Sequence, residues 1–141
     1  MGRIMSIDYG EKRVGIALSD PLHTISYPLC VINKKNENQL VDEIIKIIND
    51  KLVEKIIIGL PLSMSGSYSE QTKKVIIFKD FLIKELSDRN LNIDIDTIDE
   101  RLSSVSAKNI MIQQGVKTGH NKGRIDELSA SIILQEYLDS K

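Results

Sequence analysis

The first thirty or so residues contain three short stretches rich in apolar residues, separated by polar or glycine-containing segments, as is typical of β-strands. The stretches 4–7 and 14–18 predict two strands joined by a short hairpin turn. A third strand is predicted over 25–31, where the apolar residues occupy every second position (Ile25, Tyr27, Leu29 and Val31). Pro28 lies inside this stretch and has no amide hydrogen to donate to a neighbouring strand. We therefore expect the third strand at an edge of the sheet.

The pattern then changes to helical spacing. Leu40, Val41, Ile44, Ile45 and Ile48 predict a helix, with Asn36 or Asn38 as its N-cap. The stretch 56–60 is apolar throughout, as expected for a buried central strand, and Pro61 ends it. A loop over 61–69 leads to a second helix, whose apolar face comprises Val75, Phe78, Leu82 and Leu86.

The last third of the chain is predicted to contain one more strand and two helices. The strand starts near Ile93 and ends at Asp99 and Glu100. A helix over about 104–114, a polar loop over 115–123 and a final helix over about 124–138 follow. This order predicts an α/β fold, a five-stranded mixed sheet in which three antiparallel front strands are joined by two parallel ones, with helices on both faces.

Composition narrows the class of protein. The chain has 141 residues, of which 41% are hydrophobic and 28% charged, so we expect one globular domain over 1–141. No apolar stretch approaches the ~18 residues of a membrane span, and the N-terminal residues do not resemble a signal peptide. With a single cysteine, Cys30, these features favour the cytoplasm. A net charge of -1 does not decide for or against nucleic-acid binding, because the placement of charge matters more.

Acidic residues at two predicted strand ends are the first candidates for chemistry. Asp8 ends the first strand just before a glycine-containing turn, where an aspartate serves either as a turn former or as a ligand for a metal. Asp99 and Glu100 end the last strand and are followed by Arg101. They fit either solvated charges before a helix or members of a site.

Asp126 is the third candidate. It has helical spacing with Ala130, Ile133 and Tyr137, which places it on or beside an apolar stripe. A carboxylate there needs a partner, which either the start of the helix or a metal would supply. Asp8, Glu100 and Asp126 could converge at one end of the sheet, and hard oxygen ligands select Mg²⁺ or Mn²⁺. Two such ions, about 4 Å apart, would clamp the oxygens of a phosphodiester during hydrolysis.

Four segments together resemble a known family. They are Ile7–Asp20, Gly59–Thr72, Asp99–Leu102 and Asn121–Asp126, and they resemble the YqgF-type nucleases, also described as pre-16S rRNA nucleases and as Holliday junction resolvases. The resemblance covers nearly the whole chain and implies a ribonuclease H-like fold. It implies a Mg²⁺-dependent nuclease acting in maturation of the 5′ end of 16S rRNA, with Asp8, Glu100 and Asp126 as metal-binding catalytic acids. Asp99 is the less favoured member of its pair.

Several functional questions stay open at this point. Lys12, Arg13, Arg101, Lys122 and Arg124 flank the acids and could neutralise substrate phosphates, although each alone also fits a solvated surface charge. His120 could shuttle a proton. The partner is expected to be structured RNA, namely precursor rRNA alone or on the ribosome, or branched DNA. Resolution of a four-way DNA junction would require a homodimer, whereas rRNA cleavage is compatible with a monomer. An ATP-binding protein or a catalytically inactive binding module is a less favoured alternative.

Overall fold

A computed structural model of the chain describes residues 2–63, 65–100 and 122–140, and for 122–127 it describes the backbone alone. Five strands form one mixed sheet in the order β3-β2-β1-β4-β5. The strands are β1 (Arg3–Asp8), β2 (Arg13–Ser19), β3 (Ser26–Asn33), β4 (Val53–Leu60) and β5 (Asp94–Asp99). The first three pair antiparallel, whereas β4 runs parallel to both β1 and β5. The predicted arrangement of strands is confirmed.

Three helices are described, and their ends follow local sequence signals. Helix α1 (Glu37–Lys51) begins after Asn36, whose side chain accepts a hydrogen bond from the Gln39 amide at 2.8 Å. Helix α2 (Glu70–Asp88) begins after Ser69 with a capping box that includes Thr72. Helix α3 (Lys122–Asp139) begins two residues earlier than predicted. The helix predicted over 104–114 and most of the polar loop lie outside the described residues.

Apolar cores cover both faces of the sheet. On one face, α1 and α2 pack through the predicted residues Leu40, Ile44, Val75, Phe78 and Leu82, all of them buried. On the other face, α3 packs through Ala130, Ile133, Leu134 and Leu138 against Ile4, Ala17 and Ile57. Helices on both faces are therefore confirmed. None of the helices in the described part of the chain is long and apolar enough to cross a membrane.

Strand β3 lies at the edge of the sheet, as Pro28 predicts. The prediction that every second residue over 25–31 faces the core is wrong at both ends of that stretch. Ile16 pairs with Cys30 and Ala17 with Pro28, so that Leu29 is an extra residue in the ladder. A bulge of this kind shifts the two-residue period by one position. As a result Ile32, rather than Val31, is buried in the core, and Ile25 lies before the strand and is 61% exposed.

Candidate active site

Asp8 is the last residue of β1, and the alternation of that strand decides which face it occupies. Met5 and Ile7 belong to the core under α1 and α2, whereas Ile4 and Ser6 lie under α3. Asp8 therefore lies on the α3 face of the sheet. The turn that follows it requires glycine at position 10, because a Cβ there would lie 2.4 Å from the Arg13 carbonyl oxygen.

Glu100 comes directly after β5 and reaches the same end of the sheet. Its amide donates a hydrogen bond of 3.1 Å to the carbonyl oxygen of Leu60, the last residue of β4. Ile98 packs against the core under α3, so Glu100, two residues later, lies on the α3 face with Asp8. Asp99 lies on the opposite face by the same alternation.

Gly59 makes room for the Glu100 side chain. A Cβ on Gly59 would lie 2.5 Å from Glu100 Oε1 and 2.8 Å from Ile133 Cδ1, both too close for a real contact. The Glu100 carboxyl therefore lies directly over the backbone of β4. Sequence reasoning assigned Gly59 only to a buried strand, although glycine inside an otherwise β-branched strand is a known signal of close approach.

The carboxyl groups of Asp8 and Glu100 are in direct contact through a side-chain hydrogen bond. Burial raises the pKa of Glu100, the hydrogen bond from Asp8 opposes that rise, and the negative charge of Asp99 adds to it. Two carboxylates in contact cannot both stay ionised without a compensating positive charge. The pair must therefore share a proton or receive a cation.

Helix α3 brings its N-terminal end to the same place. Ser6 Oγ donates a 2.6 Å hydrogen bond to the Ala130 carbonyl oxygen, and at the far end of the helix Tyr137 lies beneath Lys55, with its ring centroid 5.1 Å from Lys55 Nζ. Lys55 pairs with Ile4, near the start of β1, so α3 runs antiparallel to β1.

Because α3 runs antiparallel to β1, the position of residue 126 along β1 can be worked out from the contact between Ser6 and Ala130. Position 126 precedes Ala130 by one helical turn, or ~6 Å, and Asp8 follows Ser6 by a similar ~6.6 Å. The backbone at 126 therefore lies at the level of Asp8. The Asp126 side chain is not among the described ones, and among those that are, no three Asp, Glu, His or Cys residues form a metal-binding cluster.

Of the basic residues predicted to contact substrate phosphates, the structure describes the positions of some only. Lys12 is exposed in the turn between β1 and β2, and Arg13 begins β2 half-buried. Val14 and Ile16 belong to the core under α1 and α2, so Arg13 lies on the α3 face with the carboxyl pair. Lys122 and Arg124 lie in the first turn of α3, and Arg101 and His120 lie outside the described residues.

Comparison with known proteins gives matches along the whole chain. A family model described as "RuvX: Holliday junction resolvase" matches residues 2–140. A protein of Roseiflexus sp. (strain RS-1) named "putative pre-16S rRNA nuclease" is 41% identical over 140 residues, covering 99% of this chain and 96% of its own length. A protein of the same name from Desulforamulus reducens is 39% identical over 138 residues, covering 98% and 97%.

Solved structures show the same fold at much lower sequence identity. The chain superposes on the structure "T. thermophilus RuvC in complex with Holliday junction substrate" with a TM-score of 0.62. The two sequences are 8% identical, and the match covers 99% of this chain and 95% of the other. The fold is thus that of the ribonuclease H-like resolvases, as the sequence predicts.

Proposed function

The chain belongs to the RuvX family of Holliday junction resolvases, and from that premise we propose that it is a single-domain, metal-dependent nuclease of the cytoplasm. The family predicted from the four sequence segments is confirmed. The proposed reaction is hydrolysis of a phosphodiester bond. Its main structural support is the contact between the half-buried residues Asp8 and Glu100, through their carboxyl groups, at the carboxyl ends of the sheet's parallel strands.

The chemistry of this pair fits a divalent metal ion. Two carboxyl groups lie together although burial and the neighbouring Asp99 disfavour the ionised form of Glu100. A cation compensates two negative charges more completely than a shared proton does. Oxygen ligands of this kind suit Mg²⁺, and Mn²⁺ as a substitute. Asp8 and Glu100 would hold the ion, and Asp126 would complete the set from the first turns of α3.

A bound metal ion would supply an activated water and stabilise charge on the phosphoryl oxygens, and with two ions the attacking and leaving oxygens would both be held. The protein's own part is positioning. Asp8 is held by the hydrogen-bond ladder between β1 and its neighbours. Glu100 is held by the hydrogen bond from its amide to the Leu60 carbonyl oxygen and by its place over Gly59. This rigidity keeps the ligands in place before substrate arrives.

The basic residues around the pair would bind the phosphate backbone. Arg13 lies on the same face as Asp8, and Lys12 extends from the adjoining turn. Lys122 and Arg124 lie in the first turn of α3, close along the helix to position 126, and Arg101 follows Glu100 in sequence. Contacts of this type position a nucleic acid without reading its sequence. They suit a substrate that is recognised by structure.

Precursor 16S rRNA is the substrate that we propose first, for maturation of its 5′ end during ribosome biogenesis. The support is the name shared by relatives that match this chain over nearly their whole length. A second candidate is the four-way DNA junction, favoured by the description of the family model. A junction resolvase makes paired symmetric cuts and works as a homodimer, so the oligomeric state separates the two substrates. A monomer that cuts rRNA would exclude the second candidate.

The deciding experiment offers both substrates to the same protein. Precursor 16S rRNA and a four-way DNA junction are incubated with the wild-type chain, with Asp8→Asn and with Asp50→Asn, each with Mg²⁺ or with EDTA. Asp50 is an exposed acid on α1 and provides the matched control. We expect cleavage by the wild type and Asp50→Asn only with Mg²⁺, and none by Asp8→Asn.

Two outcomes would contradict the proposal. Full activity of Asp8→Asn would show that the carboxyl pair is not the metal site. Absence of cleavage of either substrate, repeated with precursor rRNA assembled into the small ribosomal subunit, would show that the chain is not a nuclease for these substrates.

A further inference from the structure

A cleft of about 440 Å³ opens on the sheet face opposite the carboxyl pair, at the same end of the molecule. Tyr9 lines it and follows Asp8 directly in the chain, so the cleft and the carboxyl pair are built from neighbouring residues whose side chains lie on opposite faces of the sheet. Its apolar wall comes from α2 through Ile77, Phe78 and Phe81. The volume is in the range of small-molecule sites, about 300–1,000 Å³.

The polar side of the cleft is a fixed network of three residues. Tyr9 Oη donates to Glu37 Oε1 at 2.6 Å, and Lys34 Nζ donates to the same oxygen at 2.6 Å and to Tyr9 Oη at 2.8 Å. The Tyr9 ring stacks on Phe78 with centroids 4.4 Å apart, and Lys34 Nζ lies 4.7 Å from the centroid of the Tyr9 ring. The cleft is therefore built before any ligand arrives.

Charge pairing in the cleft selects against a phosphate group. Lys34 is paired with Glu37, and Lys74, at the rim, is paired with Glu11. Both lysines that line the cleft therefore already have an acidic partner, and an added anion would face two carboxylates. The chemistry favours a neutral occupant.

An unused hydrogen-bond acceptor on Glu37 and exposed apolar surface on α2 indicate what kind of neutral molecule would fit the cleft. Glu37 Oε2 is buried and has no hydrogen-bond partner within the described part of the chain, so the carboxylate has spare capacity for an N–H donor. Ile77 is 69% exposed beside the half-buried Phe81, which leaves apolar surface uncovered at the opening. A flat, neutral ring with N–H groups on one edge satisfies both features.

We propose that this cleft holds one unpaired nucleobase of the nucleic acid that is cut at Asp8 and Glu100. The inference rests on the proposed nuclease function. The base lies against Phe81 and Ile77, and its N–H edge faces Glu37. Stacking on such a wall tolerates different bases because every base has an apolar face. The cleft thus fixes the substrate next to the cut by holding a nucleotide that is not base-paired.

Binding without cleavage provides the first test. Amide shifts of the ¹⁵N-labelled protein are followed by NMR during titration with AMP, GMP, CMP or UMP, and with ribose 5-phosphate as the probe that lacks a base. We expect shifts around Tyr9, Glu37 and Ile77 with the nucleotides and none there with ribose 5-phosphate. Equal shifts with ribose 5-phosphate, or no shifts at the cleft with any nucleotide, overturn the proposal.

Two matched variants on α2 test whether the nucleotides bind in the cleft. Ile77→Glu places a charge at the opening of the cleft, whereas Ile83→Glu places the same charge at another exposed position of the same helix, outside the cleft. We expect Ile77→Glu to weaken nucleotide binding about tenfold or more and Ile83→Glu to leave it unchanged. An equal loss in both variants would show a general charge effect and refute the cleft as the site.

Cleavage of substrates with one abasic nucleotide provides the second test and separates a base within the substrate from a free nucleotide. Abasic positions are scanned on both sides of the cut. We expect one position near the cut to raise KM about tenfold for the wild type and to have no further effect for Ile77→Glu. The same KM at every abasic position refutes the substrate base as occupant. If the chain cuts no nucleic acid, the proposed function fails, while the NMR titration still decides whether the cleft binds a base.

Discussion

Replacement of Gly59 by alanine tests how the carboxyl pair is held together. The new Cβ would lie 2.5 Å from Glu100 Oε1, 2.8 Å from Glu100 Cγ and 2.8 Å from Ile133 Cδ1. Ordinary contact begins at 3.4 Å, so Oε1 must move by ~0.9 Å. Because Glu100 lies between β4 and Asp8, this movement changes the geometry of the pair itself.

The expected effects differ for stability and for activity. Overpacking of a filled site costs about 1–3 kcal/mol, and a glycine-to-alanine change returns about 0.5 kcal/mol through the unfolded chain. The net cost of about 0.5–2.5 kcal/mol lowers the Tm of a chain of this size by ~2–10 °C. Activity is more sensitive, because a 1 Å misplacement of a catalytic group costs about 10²-fold.

Thermal unfolding and cleavage of precursor 16S rRNA are measured on the same preparations. Gly2→Ala is the matched control, because its Cβ would also be crowded, lying 2.7 Å from Glu54 Cβ, but at the start of β1 and far from the pair. We expect Gly2→Ala to lower Tm alone and Gly59→Ala to lower both Tm and kcat. Wild-type kcat and wild-type stabilisation by Mg²⁺ in Gly59→Ala would refute the position of Glu100 over β4.

Three further predictions concern the same end of the sheet. Glu100→Gln lowers kcat by about 10²-fold or more, whereas Asp99→Asn, on the other face, retains activity; the reverse ranking in the cleavage assay would show that Asp99 is the ligand. In EDTA, unfolding by urea at a series of pH values should show wild-type stability falling as pH rises from about 4.5 through the raised pKa of Glu100, because the unfolded chain loses that proton first. Glu100→Gln should lack this slope, and an identical slope would contradict the assignment. Ser6→Ala removes the bond to Ala130 and should cost about 0.5–1.5 kcal/mol in urea unfolding, and an unchanged midpoint would contradict the role of that bond.

The order of strands and helices was predictable because it depends on local periodicity. Leu40, Ile44, Val75 and Phe78 are buried as their spacing predicts. The phase of β3 was not predictable, because the bulge at Leu29 depends on how that strand pairs with β2. Periodicity gives the face of a residue only while the ladder stays regular.

Sequence singled out Asp8 and Glu100, but only tertiary structure brings them into contact. The alternation of β5 separates Glu100 from Asp99, and this requires knowing which face α3 covers. The space over Gly59 and the network of Tyr9, Lys34 and Glu37 join residues far apart in the chain. A glycine inside a strand signals that some group approaches closely, but no local pattern predicts which side chain it is.

The bond between Ser6 and Ala130 spans 124 residues and has a consequence for the order of synthesis. β1 leaves the ribosome well before α3, the helix that covers its face and carries position 126. During translation the Asp8 carboxyl therefore exists before the helix that covers its face of the sheet. If Asp126 completes the metal site as proposed, a growing chain would not yet cut RNA, because the site would be complete only when α3 docks on the sheet.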